Sequence, residues 1–173
     1  MHRFTILTIV CSALAFGDGG GGLNWTAPSG WKAEAGTRPM RAATYSVPAA
    51  AGDSEGGECV AYYFGPTQGG TVDANIKRWI SQFQDASGQP PKNAELKKKT
   101  VHGLPVTTID ASGTYTGMGG PMAASKTAKP GYRMLGAIVE GPQGSVFFKF
   151  TAPAKTVAAN QRAFDQMIAS VAK

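Results

Sequence analysis

Residues 132–151 read Tyr132-Arg133-Met134-Leu135-Gly136-Ala137-Ile138-Val139-Glu140, then Gly141-Pro142-Gln143-Gly144, then Ser145-Val146-Phe147-Phe148-Lys149-Phe150-Thr151. Two runs of β-branched and aromatic residues flank a four-residue turn of Gly and Pro chemistry, which is a hairpin signal. Val146, Phe148 and Phe150 alternate against Ser145, Lys149 and Thr151, with Phe147 interrupting the polar side. The stretch therefore predicts an antiparallel pair of strands buried on one face and partly on the other.

Working outward, a C-terminal helix is expected from about Thr156, with Val157, Phe164, Met167, Ile168 and Val171 on its apolar stripe. Upstream, residues 94–116 predict two strands broken at His102-Gly103. Residues 58–64 predict another whose two sides, Val60, Tyr62 and Phe64 against Cys59, Ala61 and Tyr63, are both apolar. Such a strand sits in a sheet covered on both faces. Residues 40–47 form a further strand ended by Pro48, and a first one lies around Trp31. The helix over 71–84 carries Val72, Ile76, Trp79, Ile80 and Phe83 on one stripe, with Thr71 as N-cap and Asp73 in the first turn. Residues 117–131 show no periodicity and read as a long loop. The order β-β-β-α-β-β-β-β-α predicts an α+β fold, a largely antiparallel β-sheet covered by helices in an α/β/α sandwich.

Composition agrees with that plan. The chain has 173 residues, 16% of them charged against roughly 25% in an ordinary soluble domain, as a sheet buried on both faces requires. Its 23 glycines sit largely at breaks between elements. Residues 1–17 carry Arg3, an apolar run from Phe4 to Phe16 and a small-residue exit, the parts of a secretory signal peptide. Cleavage after Ala15 or Gly17 is one reading. Lipidation at Cys11 is the other, although Val10 before it is bulky for that processing. Residues 18–22, with Gly19 to Gly22, read as a tether, and residues 23–173 as one globular domain. Taking residues 1–17 away removes Arg3 alone and lowers the formal charge from +6 to +5. The expectation is an exported protein, periplasmic or extracellular, touching a membrane only through its leader or a lipid anchor. Cys59 is the sole cysteine beyond the leader, so no internal disulfide is expected and the thiol reads as a packed strand residue.

Residues 132–153, together with Tyr62-Tyr63-Phe64-Gly65-Pro66-Thr67-Gln68-Gly69-Gly70-Thr71-Val72-Asp73-Ala74-Asn75-Ile76, resemble a family of uncharacterised bacterial envelope proteins over nearly the whole mature chain. More distantly, Pro28-Ser29-Gly30-Trp31 and the final Phe-rich strand plus helix resemble the PsbP/Mog1-like sandwich. That fold includes a photosystem II accessory subunit and a Ran-binding nuclear import factor. The resemblance implies an accessory or binding role and brings no catalytic residue, metal or cofactor with it.

The remaining constellations each point to modest chemistry. Gly65 and Gly70 match the first half of a phosphate loop, but Thr71 and Val72 stand where Lys and Ser or Thr belong. That leaves a tight turn with a capped helix, or at most a weak anion site on the backbone of Gly65, Gly69, Gly70 and Thr71. Lys97, Lys98 and Lys99 alternate across a strand, as on a guarded sheet edge, so no nucleic-acid partner is expected. His102 has no second His near it and reads as a solvated turn residue. Asp53, Glu55 and Glu58 form an acidic turn without the spacing of a dedicated calcium loop. Met118 and Met122 in the 117–131 loop read either as residues of a plain surface loop or as adaptable contacts that clasp a partner or cover a cleft. The expected function is a non-enzymatic accessory or binding module for an unidentified envelope protein or ligand. The alternative is a small-ligand carrier or enzyme with a pocket near the 65–71 turn and the 117–131 loop, using Tyr62, Tyr63, Asp110 or Arg133.

Overall fold

The computed structural model describes residues 18–36, 38–117 and 128–173. In chain order the elements are β1 (Asp18–Gly20), β2 (Leu23–Trp25), β3 (Lys32–Ala33), β4 (Arg41–Val47), β5 (Gly57–Tyr63), α1 (Val72–Ile80), β6 (Phe83–Gln84), β7 (Glu95–Val101), β8 (Leu104–Tyr115), β9 (Lys129–Gly141), β10 (Gly144–Pro153) and α2 (Ala154–Ala169). The main sheet runs β3-β4-β5-β10-β9-β8, and both β6 and β7 pair with successive stretches of β8 at its far side. Every pairing is antiparallel. The central hairpin is in register from Gly144 opposite Gly141 to Pro153 opposite Tyr132, longer than its apolar runs suggested. The α+β sandwich is the architecture observed.

Strand alternation divides the core in two. On one face Tyr45, Cys59, Leu135, Ala137, Phe148 and Phe150 pack with Val157, Phe164, Met167 and Ile168 of α2. On the other, Ile109, Met134, Ile138 and Phe147 pack with Ile76 and Trp79 of α1. Trp79 lies directly on Gly136: a Cβ there would meet its ring at 2.6 Å. Glycine inside a strand is thus the seat of α1. Cys59 is fully buried, and burial pushes its thiol pKa well up, which removes thiolate reactivity.

Several boundaries differ from expectation for identifiable reasons. The helix predicted to Gln84 stops at Ile80, and Phe83 crosses into β6 opposite Tyr115. Phe83 is buried all the same, because a residue at helical spacing reached the core from a strand. β9 begins at Lys129, inside the stretch expected as loop. The glycines at 19–22, expected as a free tether, are docked: β1 and β2 form a hairpin against β4, with Gly20 opposite Leu23. A Cβ on Gly20 would lie 2.8 Å from that of Ala42, so only glycine permits this approach. Trp25 Nε1 donates to the Tyr45 hydroxyl at 2.7 Å, and that hydroxyl donates to the Asp18 carboxylate, latching the hairpin. Asn24 and Ala172 exchange backbone hydrogen bonds of 2.8 and 3.0 Å, which ties β2 to the end of the chain.

The Asp53, Glu55 and Glu58 cluster splits, with Asp53 leaving the other two. Asp53 reaches the start of α2 and accepts from Thr156 N at 2.9 Å and Thr156 Oγ1 at 2.7 Å. Pro153 in the N-cap position supplies no side-chain acceptor, so Asp53 caps the helix from a distant turn. Glu58 pairs with Arg41 at 3.3 Å and Glu55 with Lys129 at 2.7 Å. His102 is an exposed turn residue, as expected, with a left-handed φ of 47° and its Nδ1 2.9 Å from the Val171 carbonyl. No described helix is long and apolar enough to cross a membrane.

Candidate functional site

A nine-residue helix such as α1 is about 13 Å long at 1.5 Å per residue, while the thirteen residues of β9 extend over about 44 Å. α1 therefore covers only part of its sheet face. Beside it the uncovered part forms a half-open cleft of about 550 Å³, within the usual range of ligand pockets. Its floor is Val60 and Tyr62 of β5 with Lys149 and Thr151 of β10. Tyr115, Thr116 and Gly117 at the end of β8, Lys129 and Tyr132 at the start of β9, and the turn from Glu55 to Glu58 form the walls.

The groups in this cleft converge. Lys129 Nζ donates to Glu55 at 2.7 Å and to the Tyr132 hydroxyl at 3.1 Å. Lys149 Nζ donates to the Tyr115 hydroxyl at 3.2 Å and to Gln82 Oε1. The Tyr115 and Tyr132 rings stack 6.1 Å apart, 10° from parallel. Each tyrosine carries a cation over its ring: Lys149 over Tyr115 and Lys129 over Tyr132, both at 5.1 Å, and Arg41 over Tyr62 at 5.6 Å. Desolvation raises the pKa of Tyr62, Tyr115 and Tyr132, so all three are neutral phenols at physiological pH. The hydrogen bond from Lys129 holds the Glu55 carboxyl below its ordinary value, and the same contact raises Lys129. The result is a pocket of hydroxyl groups and paired ions on an aromatic base.

Of the residues singled out in the sequence, Tyr62, Glu55 and Glu58 line this cleft, whereas the 65–71 turn, Tyr63, Asp110 and Arg133 do not. Thr71 Oγ1 accepts from Ala74 N at 3.2 Å, and Asn75 Nδ2 donates to the carbonyls of Gly69 and Thr71 at 2.6 and 2.9 Å. Gly65, Gly69 and Gly70 all have left-handed φ, and a Cβ on Gly69 would meet Phe147 at 2.9 Å. The 65–71 segment is thus a tight turn that starts α1. Its residues line none of the described clefts, and the pocket expected near this turn and the 117–131 loop lies at the ends of β8 and β9, where Gly117 and Lys129 of that loop stretch line it. Arg133 faces α2, where it makes a two-pronged pair with Asp110 at 2.8 and 2.5 Å and reaches Gln161 at 2.9 Å. Tyr63 donates to the Gln143 carbonyl at 2.6 Å on that same side. Tyr62 is therefore separated by the sheet from Tyr63, Asp110 and Arg133, and these four form no common pocket. Cys11, Met118 and Met122 lie outside the described residues.

The sequence does not single out Tyr115, Lys129 and Tyr132 as site residues, and it shows Glu55 only as part of an acidic turn and Lys149 only as part of a strand's polar side. Their signal was parity: Tyr132 shares a side of β9 with buried Met134 and Ile138, and Lys149 and Thr151 share one of β10 with buried Phe147. Polar groups on a core-facing side point to a cavity. A second cleft of about 560 Å³ lies between β7, β8 and α2, where Lys97, Lys99 and Arg162 alternate with Glu95, Asp110 and Asp165.

This combination of an antiparallel sheet with one helix on each face defines a PsbP-like sandwich. The chain is similar in fold to cyanobacterial PsbP (CyanoP) from Synechocystis sp. PCC 6803, with a TM-score of 0.52 and 16% identity over 96% of this chain and 98% of that one. It is also similar to PA94 of Pseudomonas aeruginosa, a protein of unknown function proposed as a regulator, with a TM-score of 0.50 and 12% identity over 75% of this chain and 81% of that one. No family model matches the chain. No curated protein matches it. At these identities the likeness is one of fold.

Proposed function

We propose that the chain is an exported, non-enzymatic binding module of the bacterial cell envelope that holds a small ligand in the cleft beside α1. The observation that carries this reading is the convergence of three phenols, two ammonium groups and two threonine hydroxyls on one aromatic-floored hollow. Sites of that kind orient a ligand through a few placed polar groups. A flat apolar patch, which a protein partner would favour, is not the feature seen: Met40 and Leu96 are the exposed large hydrophobic residues among those described, and they stand apart. A binding role is favoured over catalysis because no His or Cys lines the cleft among the described residues and the two carboxylates described there are held by Lys129 and Arg41. Its phenols are moreover shifted away from neutral pH, whereas general acid–base chemistry works best near the operating pH. The leader-like residues 1–17 support export.

Two measurements test the proposal. Alkaline phosphatase fused after residue 22 should be active in a bacterial host, since that enzyme matures only outside the cytoplasm, and an inactive fusion rejects export. Thermal unfolding of the mature domain should shift upward with at least one compound in a panel of sugars, amino acids, polyamines and organic acids. The shift should vanish in Lys129→Met. A shift unaffected by that substitution would move binding elsewhere.

A further inference from the structure

We infer that the ligand of this cleft is an uncharged, polyhydroxylated molecule, a short neutral glycan. The inference rests on the binding role proposed above and narrows it by the chemistry of the lining. A cationic ligand, the usual guest of an aromatic cage, meets rings whose faces already carry Arg41, Lys129 and Lys149. A simple anion meets little net positive charge, because Lys129, Lys149 and Arg41 stand against Glu55 and Glu58 among the described groups at the cleft. At Lys129 or Arg41 it would also have to compete with Glu55 at 2.7 Å or Glu58 at 3.3 Å. An apolar ligand would bury the hydroxyls of Tyr62 and Thr151 beside the lysine ammonium groups, and each buried polar group left without a partner costs about 1–3 kcal/mol.

A sugar avoids each of these penalties. Every hydroxyl group both donates and accepts, so it can donate to Glu55 or Glu58 and accept from Lys129, Lys149 or a phenol without separating an ion pair. The C–H groups of a pyranose suit the apolar Val60 surface of the floor.

Titration calorimetry on the mature domain decides the matter, with N-acetylchitotetraose and maltotetraose as neutral probes, citrate as the anion and choline as the cation. At least one glycan should bind saturably, and which one binds separates an N-acetylated source from a plain glucan. Tyr132→Phe and Thr151→Ala should each weaken it about tenfold, the worth of one hydrogen bond near the upper end of its net range. Lys98→Ala, on the exposed edge strand β7, should leave it unchanged. Binding of citrate or choline at the cleft, with both glycans silent, overturns the glycan assignment and keeps the binding role. Silence from all four probes overturns the glycan assignment and leaves the wider thermal-shift panel to judge the binding role. Glycan binding indifferent to both substitutions overturns the assignment of that ligand to this cleft.

Discussion

Gly136→Ala tests how α1 is seated. The new methyl would lie 2.6 Å from Trp79 Cζ3 and 2.7 Å from Ile109 Cγ2. Both contacts are about 1 Å inside the ~3.5–4.0 Å optimum for carbon pairs. Neither neighbour yields easily: Trp79 is 3% exposed and Ile109 2%, and both are boxed in by the α1-side core. Overpacking of this kind costs about 1–3 kcal/mol. The lost backbone freedom of the unfolded chain returns about 0.4–1 kcal/mol where alanine fits the backbone, so the net loss should be about 1–2 kcal/mol. For a domain of this size that corresponds to a fall in Tm of about 2–8 °C. Thermal and urea unfolding followed by circular dichroism and tryptophan fluorescence measure it. A Trp79→Leu background should absorb most of the loss, giving a coupling energy of at least about 0.5 kcal/mol between the two positions. Equal stability of Gly136→Ala and the parent, or strictly additive effects in the double variant, would refute the seating argument.

Three further outcomes are expected. Asn75→Ala removes the buried amide that holds the Gly69 and Thr71 carbonyls, and should lower stability by about 1–3 kcal/mol in urea unfolding. Tyr45→Phe leaves Trp25 Nε1 and the Asp18 carboxylate without their shared partner. It should expose the chain to limited proteolysis between residues 18 and 25 while the main sheet stays intact, and a parent-like digest would show that the latch is dispensable. The third concerns pH. Because desolvation raises the folded pKa of Tyr62 and Tyr115 above the ordinary 10.0, their contribution to stability is full below about pH 10 and is lost as pH rises through the folded values. Tyrosinate absorbance should therefore rise later in the folded protein than in urea, with one late group missing in Tyr62→Phe, and coincident curves would refute the desolvation argument.

The candidate site was legible only in fragments. Tyr62 stood out because it lies in a strand apolar on both sides. Lys149 and Thr151 were visible as polar interruptions opposite Val146, Phe148 and Phe150, and this reads equally well as an ordinary solvent face. Which meaning applies depends on how far α1 extends over that face, and helix length was the property misread. Its apolar stripe continued through Phe83, so 3.6-residue spacing carried the expected helix past the point where β8 captures Phe83 and Gln84. The glycines at 19–22 misled in the same way. Composition gives them no side chain to pack, yet lack of a side chain is what lets the hairpin approach Ala42 and Tyr63.

The sequence by itself determined the order of β3, β4, β5, α1, β7, β8, β9, β10 and α2, though not the short strands β1, β2 and β6, together with the antiparallel hairpin at 141–144, the burial of both sheet faces and the strand parity of each side chain. These follow from turn chemistry and from hydrophobic period, which act within about a dozen residues. Tertiary structure alone decided which polar residues meet. Glu55, Tyr115, Lys129 and Lys149 come from four separate stretches, and only the register of β5, β10, β9 and β8 brings them to one cleft. The same register sends Tyr62 and Tyr63, neighbours in the chain, to opposite sides of the sheet. Local pattern says which way a side chain faces; long-range pairing says what it faces.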